Sequence, residues 1–206
     1  MTTEQKVAHA LLKIGAVGFV PDNPITFKSG IVSPVYIDNR KLPFHPKEWK
    51  IIIESFAQVI KKEKIKFDAI AGVEAAGIPH SAGLGFFTGK PSLFVRKKAK
   101  DHGTKRMVEG GTVLNKHVLL IEDLVTTGGS SLDAVENLRK EGGKVNSCLV
   151  IVSYGFPSAE DAFHKAKVKL HTITSFPVIL EEAKKLGIIK GDNLKKVEDW
   201  FKKHTK

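Results

Sequence analysis

A chain of 206 residues, 42% of them hydrophobic, can bury a normal core, which excludes a disordered chain; the length suits one α/β domain with room for a small N-terminal hood. The net charge of +11, from 33 basic and 22 acidic residues, favours anionic partners, either nucleic acid or phosphorylated small molecules, although segments 61–66 and 184–206 scatter lysines along what read as solvated helix faces. The single cysteine, Cys148, excludes an intrachain disulfide and, within the apolar run 148–152, reads as a small buried hydrophobe.

Residues 1–6 are polar, with no apolar stretch behind a basic one, and no segment approaches the roughly 20 apolar residues of a membrane span. A soluble cytoplasmic protein is the expectation. Residues 4–14 place Val7, Ala8, Leu11 and Leu12 at helical spacing, and Pro21, Asn23 and Pro24 then break the chain. Residues 25–27 and 35–37 read as short strands around a Ser-Gly turn. Residues 46–62 form an amphipathic helix with Pro46 in its first turn and Trp49, Ile52, Ile53, Phe56 and Ile60 on one face.

From there strands and helices alternate: strand 68–73, helix 79–87, strand 92–96, a polar stretch without periodicity over 97–112, then an aliphatic strand at 117–121. Helix 130–141, strand 144–153, helix 159–166 and strand 168–173 follow, and the tail from 178 to 203 is mostly helical. Aliphatic runs of this kind mark strands buried on both faces, so the fold class is α/β with a mostly parallel central sheet flanked by helices. In such sheets ligands sit beyond the carboxyl ends of the strands.

One segment stands out there. The strand over 118–121 runs into Glu122 and Asp123, then Leu124 and Val125, then Thr126, Thr127, Gly128, Gly129, Ser130 and Ser131, which open a helix. Glycines let backbone amides converge, the helix start adds partial positive charge, and the hydroxyls add donors, so the loop can hold a phosphate. The acids would repel a phosphate; they suit sugar hydroxyls or magnesium. A plain N-cap and turn would explain one serine and one glycine, but not two carboxylates at the end of a buried strand. Neither a Walker-A loop nor a Gly-x-Gly-x-x-Gly pattern is present here. No Ser/His/Asp or Cys/His constellation is evident, and His80, His117 and His171 lack metal-ligand spacing.

This segment resembles the phosphoribosyl pyrophosphate (PRPP) motif of the type I phosphoribosyltransferases. Three further segments resemble the orotate phosphoribosyltransferases among them. The first is Phe27-Lys28-Ser29-Gly30 with Ser33-Pro34-Val35-Tyr36-Ile37-Asp38; the second is the basic stretch from Val95 and Arg96 to Gly111; the third is Ala71-Gly72-Val73-Glu74-Ala75-Ala76-Gly77-Ile78-Pro79-His80. The resemblance implies a type I phosphoribosyltransferase fold over residues 1–206, with the hood drawn mainly from 1–45. It implies PRPP contacts from Arg96, Lys97, Lys100, His102, Glu122, Asp123, Leu124, Val125, Thr126, Thr127, Gly128, Gly129 and Ser130, with Lys100, His102 and Asp123 in the catalytic role.

On the base side it implies orotate contacts from Lys28, Tyr36, Ile37, Thr126 and Tyr154. Magnesium would be held mainly by substrate oxygens, and the basic stretch would act as a mobile loop in a homodimer with shared active sites. Many members have an arginine where Tyr154 stands and a lysine where Ala76 stands; a subgroup reads as this chain does. Other readings are a purine or uracil phosphoribosyltransferase, or a regulatory PRPP- or nucleic-acid-binding protein. The basic stretch 97–106 has no aromatics for base stacking, so nucleic acid is not the expected partner.

Overall fold

The computed structural model describes residues 1–27, 29–98 and 106–205. Helix α1 (Thr3–Lys13) opens with a reciprocal capping box between Thr2 and Gln5. The strands β1 (Val17–Phe19) and β4 (Val35–Ile37) then pair antiparallel, and β2 (Ile25–Thr26) pairs with β3 (Val32–Ser33). A 3-10 turn, Asn39–Phe44, leads into α2 (Pro46–Lys62), whose Ile52, Ile53 and Phe56 face the core.

The central sheet has six strands in the order β10-β9-β8-β5-β6-β7. They are β5 (Ala69–Val73), β6 (Ser92–Val95), β7 (Val108–Glu109), β8 (His117–Val125), β9 (Lys144–Ser153) and β10 (Lys169–Ser175). All neighbours are parallel except β6 and β7. The connecting helices are α3 (Gly77–Thr88), α4 (Gly129–Lys140) and α5 (Pro157–Lys165); α6 (Phe176–Lys185) and α7 (Gly191–His204) end the chain.

Alternate residues of one strand serve two cores. Leu119 and Ile121 join Ile70, Leu149 and Ile151 under α1, α2 and α6, whereas Val118 and Leu120 join Ala69, Ala71, Cys148 and Val150 on the other face. Cys148 is fully buried, as its apolar context implied.

The chain leaves β5 for β6 and β7 on one side and then returns past β5 to β8 on the other, so the crevice between β5 and β8 lies where the winding reverses. Two glycines draw the elements together there. A Cβ on Gly77 would fall 2.6 Å from the Ile121 carbonyl, and one on Gly72 would fall 2.6 Å from the Gly77 carbonyl.

The expected strand–helix rhythm is the observed one, with β9 and α2 at the expected bounds. Three differences bear on the site. β8 continues past Ile121 through both acids to Val125. The polar stretch after β6 contains the edge strand β7. The 3-10 turn after β4 carries Asn39, which is fully buried.

Candidate active site

β8 brings Glu122 and Asp123 to the carboxyl end of the sheet. Glu122 continues the face of Val118 and Leu120 and is only 6% exposed, while Asp123 and Leu124 are partly exposed. One Glu122 carboxylate oxygen accepts the Asp123 amide at 3.1 Å and the other accepts the Ser131 hydroxyl at 3.2 Å. Burial, then the neighbouring Asp123 charge, pushes the Glu122 pKa well above the usual glutamate range. Burial also raises Asp123, against the pull of backbone amides and the Lys97 ammonium.

The next residues form a loop whose geometry suits a phosphate. Gly128 adopts φ +84° and caps α4 without any side-chain cap bond, so the first amides of the helix face the cleft with no side chain of the described residues upon them. A side chain at Gly128 would be strained by that φ and would meet the Phe163 ring at 2.8 Å. The cleft, about 350 Å³, is lined by Glu122, Asp123, Leu124, Thr126, Thr127, Gly128, Gly129, Ser130 and Ser131, together with Lys97, Asp133, Phe27 and Ser29. A wider groove of about 670 Å³ beside α5 and β10 has one carboxylate, Glu160, among its lining residues and none of this loop.

Cations approach from β6. The Lys97 amide donates to the Glu74 carboxylate at 2.8 Å, which ties the strand end to the loop after β5. Arg96 pairs with Glu109 at 3.3 Å and donates to the Lys98 carbonyl at 3.1 Å, beside a small cavity shared with Lys97, Ser130 and Asp133. Glu141, capping the far end of α4, accepts from Arg106 at 2.7 Å and from the Val108 amide at 3.3 Å. One helix therefore carries the phosphate loop at its start and holds the base of the basic stretch at its end.

Of the residues expected to meet PRPP, the structure brings Lys97, Glu122, Asp123, Leu124 and 126–130 to one cleft and sets Arg96 at its margin. Val125 is buried behind it, its carbonyl accepting the Tyr154 amide at 3.1 Å. Lys100 and His102, and Lys28 on the base side, lie outside the described residues.

The other base-side expectations meet a different geometry. Thr126 lines the cleft, but Tyr36 and Ile37 do not: the Tyr36 hydroxyl accepts from Arg40 at 3.0 Å, and Ile37 is buried against α1 and β1. Tyr154 lies deeper still. Its ring has no exposed surface and lies one layer behind Phe27, at 5.5 Å between ring centres. Burial raises its phenol pKa and Ser33 draws it back, yet among the described residues no hydrogen bond of ordinary geometry reaches the hydroxyl.

Three residues went unrecognised in the sequence. Asn39 donates its amide to the Asp123 carbonyl at 2.8 Å, joining the hood to the acid pair. Phe27 and Ser29 wall the cleft opposite the phosphate loop, and their only signal was their adjacency to Lys28.

A family model for the phosphoribosyl transferase domain matches residues 42–183. A curated orotate phosphoribosyltransferase from Porphyromonas gingivalis is 38% identical over 98% of this chain and 96% of its own length. One from Coxiella burnetii is also 38% identical, over 98% of this chain and 97% of the relative. Among solved structures, the orotate phosphoribosyltransferase of Aeropyrum pernix superposes with a TM-score of 0.76 at 31% identity, covering 89% of this chain and 99% of that one. The UMP synthase of Leishmania donovani superposes with a TM-score of 0.86 at 28% identity; it covers 97% of this chain, which spans 42% of that longer one. On the acid pair, the uncapped glycine loop and these full-length likenesses, the chain belongs to the type I phosphoribosyltransferases, and among them to the orotate phosphoribosyltransferase family.

Proposed function

We propose that this protein transfers the phosphoribosyl group of PRPP to N1 of orotate, giving orotidine 5′-monophosphate and pyrophosphate in de novo pyrimidine synthesis in the cytoplasm. The observation that carries the reading is one cleft where the acid pair Glu122 and Asp123, the uncapped start of α4 and the turn on either side of Lys28 meet. Thr126 to Ser130 bind the 5′-phosphate, Glu122 and Asp123 hold the ribose hydroxyls, and Arg96, Lys97, Lys100 and His102 surround the pyrophosphate. The bond from the anomeric carbon to pyrophosphate breaks as N1 of orotate bonds to that carbon and gives up its proton to the departing pyrophosphate, and the protein contributes orientation and placed charge.

Magnesium suits the donor set as an ion shared with substrate. Glu122 and Asp123 offer carboxylate oxygens, while among the described residues no three metal-ligating side chains converge, which leaves most of its ligands to PRPP. When bound, it offsets the charge of the departing pyrophosphate. No helix among the described residues is long and apolar enough to cross a membrane.

The assembly is read as a homodimer with shared sites. Phe86 and Phe44, 94% and 86% exposed, offer apolar surface for a second copy. On the resemblance set out above, the stretch around Lys100 serves the neighbouring site.

The assay of the reading is turnover with PRPP and magnesium, offering orotate beside uracil, adenine and hypoxanthine. Loss of orotate absorbance is expected, with uracil far slower; comparable rates on uracil would show that the orotate carboxylate is not recognised.

The raised Glu122 pKa gives a second test. In an unfolded chain the group titrates near 4.5; folded, it holds its proton more tightly. Its contribution to stability is fully present below 4.5 and is lost as pH rises through the folded value. Glu122→Gln should therefore raise Tm at mildly alkaline pH by roughly 2–4 °C, a gain that shrinks in acid, while kcat/KM falls about tenfold or more. A Tm that falls at alkaline pH would mean the buried charge is not costly.

Shared sites are tested by mixing Lys100→Ala and Asp123→Asn subunits, each nearly inactive alone. If Lys100 acts in trans, hybrid dimers hold one intact site, and free exchange should restore roughly a quarter of wild-type activity per site. No recovery, with exchange confirmed, would place Lys100 in its own subunit's site.

A further inference from the structure

The turn that brings Phe27 and Ser29 to the cleft has little structure of its own. Its strands are two residues each, Ile25–Thr26 against Val32–Ser33. The turn closes with the Phe27 amide donating to the Ile31 carbonyl at 2.8 Å and the Gly30 amide to the Phe27 carbonyl at 2.9 Å. A hairpin of that size is not stable alone in water. Something else must fix that wall of the cleft.

α7 supplies two polar contacts to this region. The Trp200 indole N–H donates to the Val32 carbonyl at 2.7 Å, and Lys196 pairs with Asp22 at 2.7 Å on the approach to the hairpin. An exposed ion pair contributes little, so the indole bond is the stronger tie. The Trp200 ring stands edge-on to Tyr154, with centres 5.9 Å apart and planes at 81°, and Tyr154 in turn packs on Phe27. Tyr154 also donates its amide to the Val125 carbonyl, next to Thr126. A continuous set of rings thus runs from the C-terminal helix to the wall of the cleft opposite the phosphate loop. That loop rests on β8 and α4 instead.

We propose that Trp200 and Tyr154 are positioning residues for the base: they set the 27–30 turn, and so act on orotate affinity without acting on PRPP. The Tyr154 phenol, buried and unbonded among the described residues, serves as a packing surface behind Phe27. This rests on the reading that the cleft takes orotate beside PRPP.

The test is Trp200→Phe, which keeps an aromatic ring and removes the N–H. The KM for orotate should rise about fivefold or more, the KM for PRPP should stay within about twofold, and kcat should change less than the orotate KM. Equal rises in both KM values, or no rise for orotate, would overturn the proposal. If the wild-type protein prefers another base, the reading of the function fails, and the same split scored with that base still decides the role of Trp200. Should the variant not fold, a second measurement uses Trp49→Phe, which leaves Trp200 as the one tryptophan of the chain. Orotate is then expected to shift its emission and PRPP alone to leave it unchanged; no shift with orotate, or an equal shift with both, would overturn the proposal.

Discussion

Two carboxylates at the end of a strand that is apolar on both faces are costly to place, and the surroundings of β8 are organised about that cost. Glu122 is almost fully buried, and among the described residues its oxygens are met by the Ser131 hydroxyl and the Asp123 amide, not by a cation. Lys97 offsets part of the cost of the pair through Asp123. On the proposed reading, a ligand that brings hydroxyl donors and a divalent ion relieves the rest, which favours a sugar phosphate. Asn39 fixes the backbone of the pair from the hood, and Gly72 and Gly77 let α3 and the loop after β5 close against β8.

Charge elsewhere follows the same division. The excess of basic residues is spread along helices, but the cations that matter stand at strand ends around the cleft: Lys97, with its amide on Glu74, and Arg96, paired with Glu109. α4 couples the two halves of the chemistry, with phosphate amides at its start and Glu141 holding Arg106 and β7 at its end. The base wall has a separate support in α7. On the proposed reading, phosphate binding and base binding draw on different parts of the fold.

Much of this was legible because parallel strands buried on both faces leave long aliphatic runs. β9 and α2 appear at the bounds their composition implies, and the Glu122–Ser131 segment announces its chemistry through residue type alone. What was not legible depends on tertiary partners. β8 was expected to stop at Ile121 because carboxylates are poor strand residues, yet pairing with β9 carries it to Val125. β1 and β7 are too short for any period to show, and each exists through an antiparallel neighbour. Asn39 carries no sequence signal, since nothing local marks a side chain that bonds a carbonyl 84 positions away. Tyr154 follows β9 where a ligand is expected, but its burial is decided by α7, whose aromatic face comes from the last turns of the chain.

The measurement that bears most directly on the account is a crystal structure of the protein with PRPP, magnesium and orotate or an unreactive orotate analogue. The account predicts the 5′-phosphate on the amides of Thr126 to Ser130, the ribose hydroxyls against Glu122 and Asp123, and the pyrimidine beside Phe27 and Ser29. A phosphate bound elsewhere, for instance in the groove beside α5 and β10, with the acid pair free of the sugar, would contradict it.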